Sequence, residues 1–367
     1  MNIFDALNIF YREDTISDFL VNCFKDSNQY LNKFLQAADI MANDDAVFHI
    51  ETRVSLGKNI GTPDIVIRFE KEDIMHFIII ENKMGASEGI EQTDRYESPE
   101  AREKIASKYN ADIKNSNFHF VFLALDVTAE PKNSQFHFIT YEIFTQGEWT
   151  LQTEVLQIIF KDFQKKLIHF YEPLKEPYES LDKEIKISAM QRKICWQKVL
   201  FRCFQSDDRL HLTWGEALGQ GRSNFIFLIT KPTWKSTRSF REDGLSKNFY
   251  VHIDTYVNML DEHKKGVKDI GIRFETFPYE PHRKIEDLVG YELFKQNKSV
   301  FSKMLYEKTR ALGISVKRKN SKLLVMSLPI EGSTARQTVQ NIKNGFDAIE
   351  KCIDEVIDVM KMQNLLK

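Results

Sequence analysis

The chain has 367 residues, of which 42% are hydrophobic and 28% are charged, and its formal net charge is -2. This length exceeds one ordinary core and predicts two domains, while the hydrophobic content argues against extensive disorder. The balanced charge gives no general attraction to nucleic acid, so any surface that binds nucleic acid must be a local basic patch.

The first strong pattern is the segment YREDTISDFLVNCF, which predicts an amphipathic helix. Its apolar residues Ile16, Phe19, Leu20 and Phe24 recur at helical spacing. Glu13 stands near the start of this helix, where an acidic side chain can simply compensate the helix dipole.

A hairpin is predicted by two short apolar runs that flank a charged stretch. The runs are IVIRF (65–69) and HFIII (76–80), and Glu70 to Asp73 separates them. Symmetric pairing about this turn places Asp64 opposite Glu81, and directly opposed Cβ atoms in such a pair lie about 5 Å apart. Because side chains alternate along a strand, Lys83 should share their face.

Asp64, Glu81 and Lys83 together suggest chemistry on phosphate esters. Two carboxylates this close repel each other, which is unfavourable unless a divalent cation lies between them. Oxygen ligands suit Mg²⁺ or Mn²⁺, and Mg²⁺ retains several waters when bound. A lysine ammonium can orient a water, help to deprotonate it, or stabilise charge on a phosphate. The alternative is a solvated salt bridge at the edge of a sheet.

The same residues resemble the PD-(D/E)XK nuclease superfamily. The resemblance rests on Pro63-Asp64, a spacer across the hairpin, and Glu81-Asn82-Lys83 at the end of an apolar strand. It covers roughly the first half of the chain and implies an α/β, restriction-endonuclease-like core with a mixed central sheet flanked by helices. The order of the segments is similar to that of a bacterial group of nuclease-like proteins, for which a role in defence is plausible.

Two further features support this resemblance. Gln92 and Tyr96 have the Gln-x-x-x-Tyr spacing of the extra motif found in the recombination-exonuclease branch, and i,i+4 spacing places both on one helical face. An ordinary amphipathic helix is the alternative for this pair. Superfamily members often carry an acidic residue on their first helix, and Glu13 corresponds to it.

The resemblance implies a Mg²⁺-dependent nuclease that hydrolyses phosphodiester bonds in DNA, with Mn²⁺ as a possible substitute. The implied metal ligands are Asp64, Glu81 and Glu13, and the implied catalytic residues are Asp64, Glu81, Lys83, Gln92 and Tyr96. We expect an endonuclease rather than an exonuclease. The alternative is a non-catalytic module, built on the nuclease scaffold, that binds nucleic acid or another protein.

Beyond the hairpin, strands are predicted at 119–127 and 136–144, followed by a helix at about 151–170. The helix should bury a face that includes Val155, Ile158 and Phe163. The proline-rich, charged segment that follows predicts a linker at about 172–190. We therefore expect a nuclease-like domain at 1–175 and an α+β domain at 190–367.

The second half predicts five strands and two helices. The strands are at 224–230, 248–256, 270–277, 314–319 and 323–329, and the helices are at about 290–312 and 334–361. The apolar face of the last helix is typical of a core, and it is also compatible with the seam of a homodimer.

The segment KPTWKSTRSFREDG is a candidate for contact with nucleic acid. It interleaves Lys235, Arg238 and Arg241 with Trp234 and Phe240. Cations of this kind neutralise phosphates, and aromatic rings can stack on exposed bases. The alternative is an ordinary solvated loop.

Cysteine usage and hydropathy predict a cytoplasmic protein without a membrane partner. The four cysteines form no Cys-x-x-Cys pattern, which is typical of reduced residues. No apolar run reaches the roughly 18–20 residues that cross a bilayer. The first residues have no basic region before their apolar residues, so no signal peptide is expected.

Overall fold

The structure is a computed structural model that describes residues 2–43, 45–86, 88–89, 91–183, 187–219, 222–258, 269–319, 322–327 and 334–366. The chain divides into two units, Met1–Lys175 and Glu176–Lys367. No helix built from the described residues has both the length and the apolar character needed to span a membrane.

The first unit combines one five-stranded sheet with helices. The helices are α1 (Ile3–Ala6), α2 (Glu13–Asp26), α3 (Asn28–Ala37), α4 (Gln92–Glu97), α5 (Pro99–Lys108) and α6 (Glu154–Lys175), and the strands are β1 (His49–Thr52), β2 (Ile65–Lys71), β3 (Ile74–Lys83), β4 (Ser116–Ala124) and β5 (Phe136–Thr140). Two short 3₁₀ helices lie at Ile113–Asn115 and Tyr141–Thr145.

The sheet of the first unit is mixed, as predicted. Its strand order is β1-β2-β3-β4-β5, in which β1, β2 and β3 pair antiparallel, whereas β4 pairs parallel with both β3 and β5. The hairpin register is confirmed, since Phe69 pairs with His76. The turn is tighter than expected: only Glu72 and Asp73 lie between the strands, and both have positive φ, as two-residue hairpin turns require.

Strand β3 lies in the middle of the sheet and is buried on both faces. Its odd-numbered residues Phe77 and Ile79 pack in a core cluster with Tyr96 of α4 and Ile105 of α5. Alternation along the strand therefore directs Glu81 and Lys83 to the α4 side. Asn82 points to the opposite face, where it contacts α2.

Helix α6 buries only part of the face expected, since Phe163 is buried as predicted but Val155 and Ile158 are not. Phe160 and Phe163 are fully buried, whereas Val155 and Ile158 are 65% and 58% exposed. The buried rings join an aromatic cluster in which Phe163 contacts Phe4 at a centroid distance of 5.1 Å. The sequence prediction was wrong for Val155 and Ile158, because both faces of the first turns carry apolar residues and only tertiary packing distinguishes them.

The segment expected to be a linker contains helix. Helix α6 continues to Lys175 with Pro173 inside it, and α7 (Pro177–Asp182) begins two residues later with Pro177 in its first turn. Proline is tolerated in a first turn because the N–H it lacks would have no intrahelical acceptor there. Residues 184–186 lie outside the described range.

The second unit is α+β, with a six-stranded antiparallel sheet. Besides α7, its helices are α8 (Ala189–Phe204), α9 (Phe240–Asp243), α10 (Tyr291–Ala311) and α11 (Ala335–Met362), and its strands are β6 (His211–Gly219), β7 (Arg222–Thr230), β8 (Tyr250–Asn258), β9 (Asp269–Glu275), β10 (Lys317–Lys319) and β11 (Lys322–Ser327). Two 3₁₀ helices lie at Pro232–Trp234 and His282–Lys284. The strand order is β10-β11-β9-β8-β7-β6.

Strand β6 was not predicted, because its two glycines and its polar residues weaken the strand pattern. It pairs with β7 along its whole length. Residues 328 and 329 of the last predicted strand lie outside the described residues. The two long helices fall where the sequence placed them.

The burial pattern of α6 predicts contrasting effects of two truncations. We expect Phe163→Ala to lower the free energy of unfolding of the first unit by about 3–5 kcal/mol, because it leaves a cavity among packed rings. Val155→Ala should change it by less than about 0.5 kcal/mol, because that side chain is exposed. Urea unfolding followed by circular dichroism measures both, and equal losses would contradict this packing.

Candidate active site

The predicted site residues of the first unit come together at one end of the hairpin. Asp64 directly precedes β2, while Glu81 and Lys83 lie in the last three residues of β3. Gln92 and Tyr96 occupy one face of α4, on the side of the sheet to which Glu81 points. The site is therefore built from two paired strands and one short helix.

Strand geometry fixes the two carboxylates. The ladder pairs Ile65 with Ile80, so Asp64 and Glu81 are the next positions along it. An Asp64 carboxylate oxygen accepts a hydrogen bond of 2.7 Å from the backbone N–H of Asn82. This bond ties Asp64 to the strand that carries Glu81.

Glu81 is the most enclosed group of the site, with an exposed fraction of 1%. Its Oε1 lies 2.5 Å from the Lys83 ammonium and accepts a 2.7 Å hydrogen bond from the Gln92 amide. Its Oε2 is buried and has no hydrogen-bond partner among the residues that the structure describes. A buried oxygen without a partner is costly, so this atom is suited to a ligand.

The Gln92 amide links α4 to the carboxylate. Gln92 Nε2 lies 3.2 Å from the Tyr96 hydroxyl, and Gln92 Oε1 accepts from the backbone N–H of Gly89 at 3.1 Å. Tyr96 stands against Gly61, where an added Cβ would lie 3.4 Å from the ring and the φ of +109° already favours glycine. These contacts hold Gln92 in reach of Glu81.

Glu13 reaches the site from the first turn of α2, but it is turned toward the lysine. Its Oε1 accepts from the backbone N–H of Met84 at 3.1 Å, and its Oε2 lies 3.9 Å from the Lys83 ammonium. This placement favours a role in holding Lys83, and the expected role of Glu13 as a metal ligand stays a prediction.

Asn82 is a structural contributor that the sequence did not reveal. Its side-chain amide donates to Ser17 at 2.9 Å and to the Glu13 carbonyl at 3.4 Å, and it accepts from the Tyr141 hydroxyl at 2.8 Å. Asn82 therefore joins α2 to the strand that carries Glu81 and Lys83. The signal in the sequence that could have identified it is an amide side chain at the end of an apolar strand, which the structure shows to be fully buried.

Burial, with the charges of neighbouring carboxylates, makes both Asp64 and Glu81 harder to ionise. Burial raises the pKa of Asp64 to about 6, although the hydrogen bond from Asn82 and the charge of Lys83 oppose the shift. Burial, followed by the charge of Asp64, raises the pKa of Glu81 to about 8. The two carboxylates thus share a site in which added positive charge is favourable.

Lys83 keeps its proton. Burial lowers the pKa of Lys83, but its ion pair with Glu81 and the charges of Glu13 and Asp64 outweigh that effect, so the net shift is upward. An ammonium that stays charged is suited to stabilising negative charge and poorly suited to accepting a proton.

The carboxylate pair fits a divalent cation in chemistry. Asp64 and Glu81 offer hard oxygen donors, and the Glu81 Oε2 atom has no other partner within the described residues. Within the same range, no three His, Cys, Asp or Glu side chains are arranged as a metal-binding group. The fit therefore rests on two carboxylates, and further ligands would have to be waters or substrate oxygens.

The three residues predicted to bind nucleic acid lie in the second unit. Arg238 forms ion pairs with Glu242 and Asp243, each at 3.0 Å, and Arg241 pairs with Glu280 at 2.9 Å. The Lys235 ammonium lies 4.8 Å from the centre of the Phe277 ring. Neighbouring carboxylates offset the charges of both arginines, so these side chains are less suited to contact phosphate.

The raised pKa of Glu81 predicts how stability depends on pH. The folded chain holds this proton more tightly than the unfolded chain, so the contribution of Glu81 is complete below its ordinary value of 4.5 and is lost as the pH rises through about 8. Relative to Glu81→Gln, the metal-free wild type should lose roughly 1–3 kcal/mol of stability between about pH 5 and about pH 8.

Denaturant unfolding at several pH values measures this difference. The readout is how the difference in unfolding free energy between the wild type and Glu81→Gln changes with pH. The size of this difference at any one pH is not informative, because the variant also loses the Lys83 ion pair at every pH. Glu70→Gln, an exposed change on the same hairpin, is the matched control and should leave the pH dependence unchanged. Parallel curves for the wild type and Glu81→Gln would contradict the assigned shift.

Comparison with known proteins identifies a family that includes this site. Residues 1–171, nearly the whole first unit, match the family model described as the PD-(D/E)XK nuclease superfamily. No curated protein and no solved structure matches the chain. The matched segment contains the mixed sheet flanked by helices and all the site residues of the first unit. Over residues 1–171, the first unit therefore belongs to the PD-(D/E)XK nuclease superfamily and has its α/β restriction-endonuclease-like core.

Proposed function

We propose that this protein is a divalent-metal-dependent nuclease that hydrolyses phosphodiester bonds in DNA. The observation that carries the proposal is the convergence of Asp64, Glu81 and Lys83 on one face of a superfamily hairpin, with one buried Glu81 oxygen lacking a hydrogen-bond partner among the described residues. Nucleases of this superfamily generally use divalent metals.

Asp64 and Glu81 would hold the metal ion, Mg²⁺ in the first instance and Mn²⁺ as a substitute. When bound, the ion would stabilise negative charge on the phosphate and make water a better nucleophile. The ion would also offset the repulsion between the two carboxylates and favour the ionised form of Glu81, whose pKa is raised to about 8 in its absence.

Lys83 acts as a cation rather than as a base. Its upward-shifted pKa keeps the ammonium charged near neutral pH, so it orients the attacking water and stabilises charge that develops on the phosphate. Glu13 and Glu81 fix its position from two sides.

Gln92 and Tyr96 act on the geometry of Glu81. The Gln92 amide occupies Glu81 Oε1, which leaves Oε2 for a ligand. The Tyr96 hydroxyl accepts from the same amide, so its own hydrogen can be donated to a phosphate oxygen near Glu81 once a substrate binds.

Loss of the charge of either Asp64 or Lys83 should abolish cleavage. We expect Asp64→Asn and Lys83→Met to lower the rate of DNA cleavage at least about 100-fold, because each change removes electrostatic stabilisation of the transition state. Circular and linear DNA in Mg²⁺ give the readout, and nicked or linearised circles identify an endonuclease.

Asp73→Asn in the hairpin turn and Lys25→Met at the exposed end of α2 are the matched controls, and both should keep full activity. If folded Asp64→Asn still cleaves DNA, Asp64 is not part of the nuclease site and the assignment is wrong. Metal and DNA binding by a wild type that never cleaves would instead favour a non-catalytic module on the nuclease scaffold.

Two serine truncations separate positioning from stability. Ser17→Ala removes an acceptor of the Asn82 amide, whereas Ser27→Ala removes the cap of α3, where Ser27 accepts from Tyr30 at 3.2 Å. Each should cost about 1 kcal/mol of stability. Only Ser17→Ala should lower kcat, by about 3- to 30-fold, since even a small displacement of reacting groups is costly.

The half-saturating Mg²⁺ concentration should also rise in Ser17→Ala, while the KM for DNA stays unchanged. These two values, measured well below the unfolding temperature, distinguish a positioning role from a structural one. The idea fails if Ser17→Ala and Ser27→Ala show the same kcat and the same Mg²⁺ dependence.

A further inference from the structure

A basic cavity lies in the second unit, and its lining includes Lys235 and Arg238 of the segment predicted to contact nucleic acid. Its volume is about 420 Å³, within the usual range for ligand sites. Four cations line it, namely Lys235, Arg238, Lys247 and Lys361, and the buried side chains of Phe249 and Leu366 provide apolar lining.

The charge around this cavity is strongly unbalanced. Asp243 is the one acidic residue in its lining, and it pairs with Arg238 at 3.0 Å. Lys235, Lys247 and Lys361 form no ion pair with any carboxylate of the described chain. Three positive charges therefore face one cavity without a compensating anion from that part of the chain.

Elsewhere in this unit, a buried lysine is paired as expected. Lys231 is only 6% exposed, and its ammonium lies 2.7 Å from an Asp354 oxygen. The contrast matters because clustered, uncompensated cations repel one another and reduce stability, unless a ligand supplies the opposite charge.

Two of the three lysines are held by contacts that do not neutralise them. The Lys361 ammonium donates to the Thr233 carbonyl at 3.0 Å and lies 5.7 Å from the centre of the Phe249 ring. The Lys235 ammonium lies 4.8 Å from the centre of the Phe277 ring. Such contacts orient a cation while its charge remains available to an anion.

We propose that this cavity binds phosphate groups through Lys235, Lys247 and Lys361. Lysine acts on phosphate as a compact point charge, and a phosphate brings the negative charge that the cavity lacks. The phosphate can belong to a nucleic-acid strand or to a small ligand such as pyrophosphate. The assignment keeps Lys235 from the sequence prediction and adds Lys247 and Lys361 in place of Arg238 and Arg241, whose charges are already offset by carboxylates.

The experiment measures binding and requires no cleavage, so its outcome is independent of the nuclease proposal. The full chain is studied in EDTA with two probes, a fluorescein-labelled DNA duplex followed by anisotropy and inorganic pyrophosphate followed by calorimetry. The variants are Lys235→Glu with Lys247→Glu, and the milder Lys235→Gln with Lys247→Gln. Two charge reversals outside the lining, Lys303→Glu with Arg283→Glu, give the control with the same net charge.

If the phosphates belong to DNA, the glutamate pair should weaken DNA binding at least about tenfold and lower the slope of log K against log salt by about 2, since each lost contact removes roughly one released ion. The glutamine pair should give a smaller loss of the same kind. If the ligand is small, pyrophosphate binding should vanish in the glutamate pair while DNA binding is unchanged.

Equal binding of both probes by the glutamate pair and the control would overturn the proposal. So would a wild type that binds neither probe. A variant that fails to fold would be recognised by its circular dichroism, and the glutamine pair then decides the outcome in the same way.

Discussion

The electrostatic cost of placing Asp64 and Glu81 at the same end of one hairpin governs the first unit. Burial raises the pKa of both carboxyl groups, the charge of Asp64 adds to the shift of Glu81, and one Glu81 oxygen has no hydrogen-bond partner among the described residues. The fold offsets this cost only in part, through Lys83 and the backbone N–H of Asn82. The negative charge that remains, together with the unpartnered Glu81 oxygen of the described site, favours the binding of a cation. This is the physical basis of the proposed nuclease chemistry.

Strand alternation allows a charged site and a packed core to share β3. Odd-numbered residues end in Glu81 and Lys83 on the α4 side, while Asn82 faces α2 and anchors it through Ser17. The helix that carries Glu13 is thereby fixed to the strand that carries Lys83. A single buried amide therefore couples the packing of one face of the sheet to the geometry of the other.

The local pattern of the sequence was sufficient for the hairpin, its register and the face shared by Asp64, Glu81 and Lys83, because strand period and turn position determine these features. It could not reveal the Asn82 contacts, which join residues 65 positions apart. It predicted Phe163 of α6 correctly but misjudged Val155 and Ile158 for the same reason, since all three are apolar and only tertiary packing separates them. In the second unit, the sequence could not show that Lys361 lines the same cavity as Lys235, because 126 positions separate them in the chain.

The most direct test of the central claim is calorimetric titration of Mg²⁺ into the wild type and Asp64→Asn near neutral pH, in buffers with different ionisation enthalpies. A cation that binds to carboxyl groups of raised pKa must displace their protons. The account predicts Mg²⁺ binding with proton release in the wild type and loss of both in the variant. Equal Mg²⁺ binding by the two proteins, or binding without proton release, would contradict it.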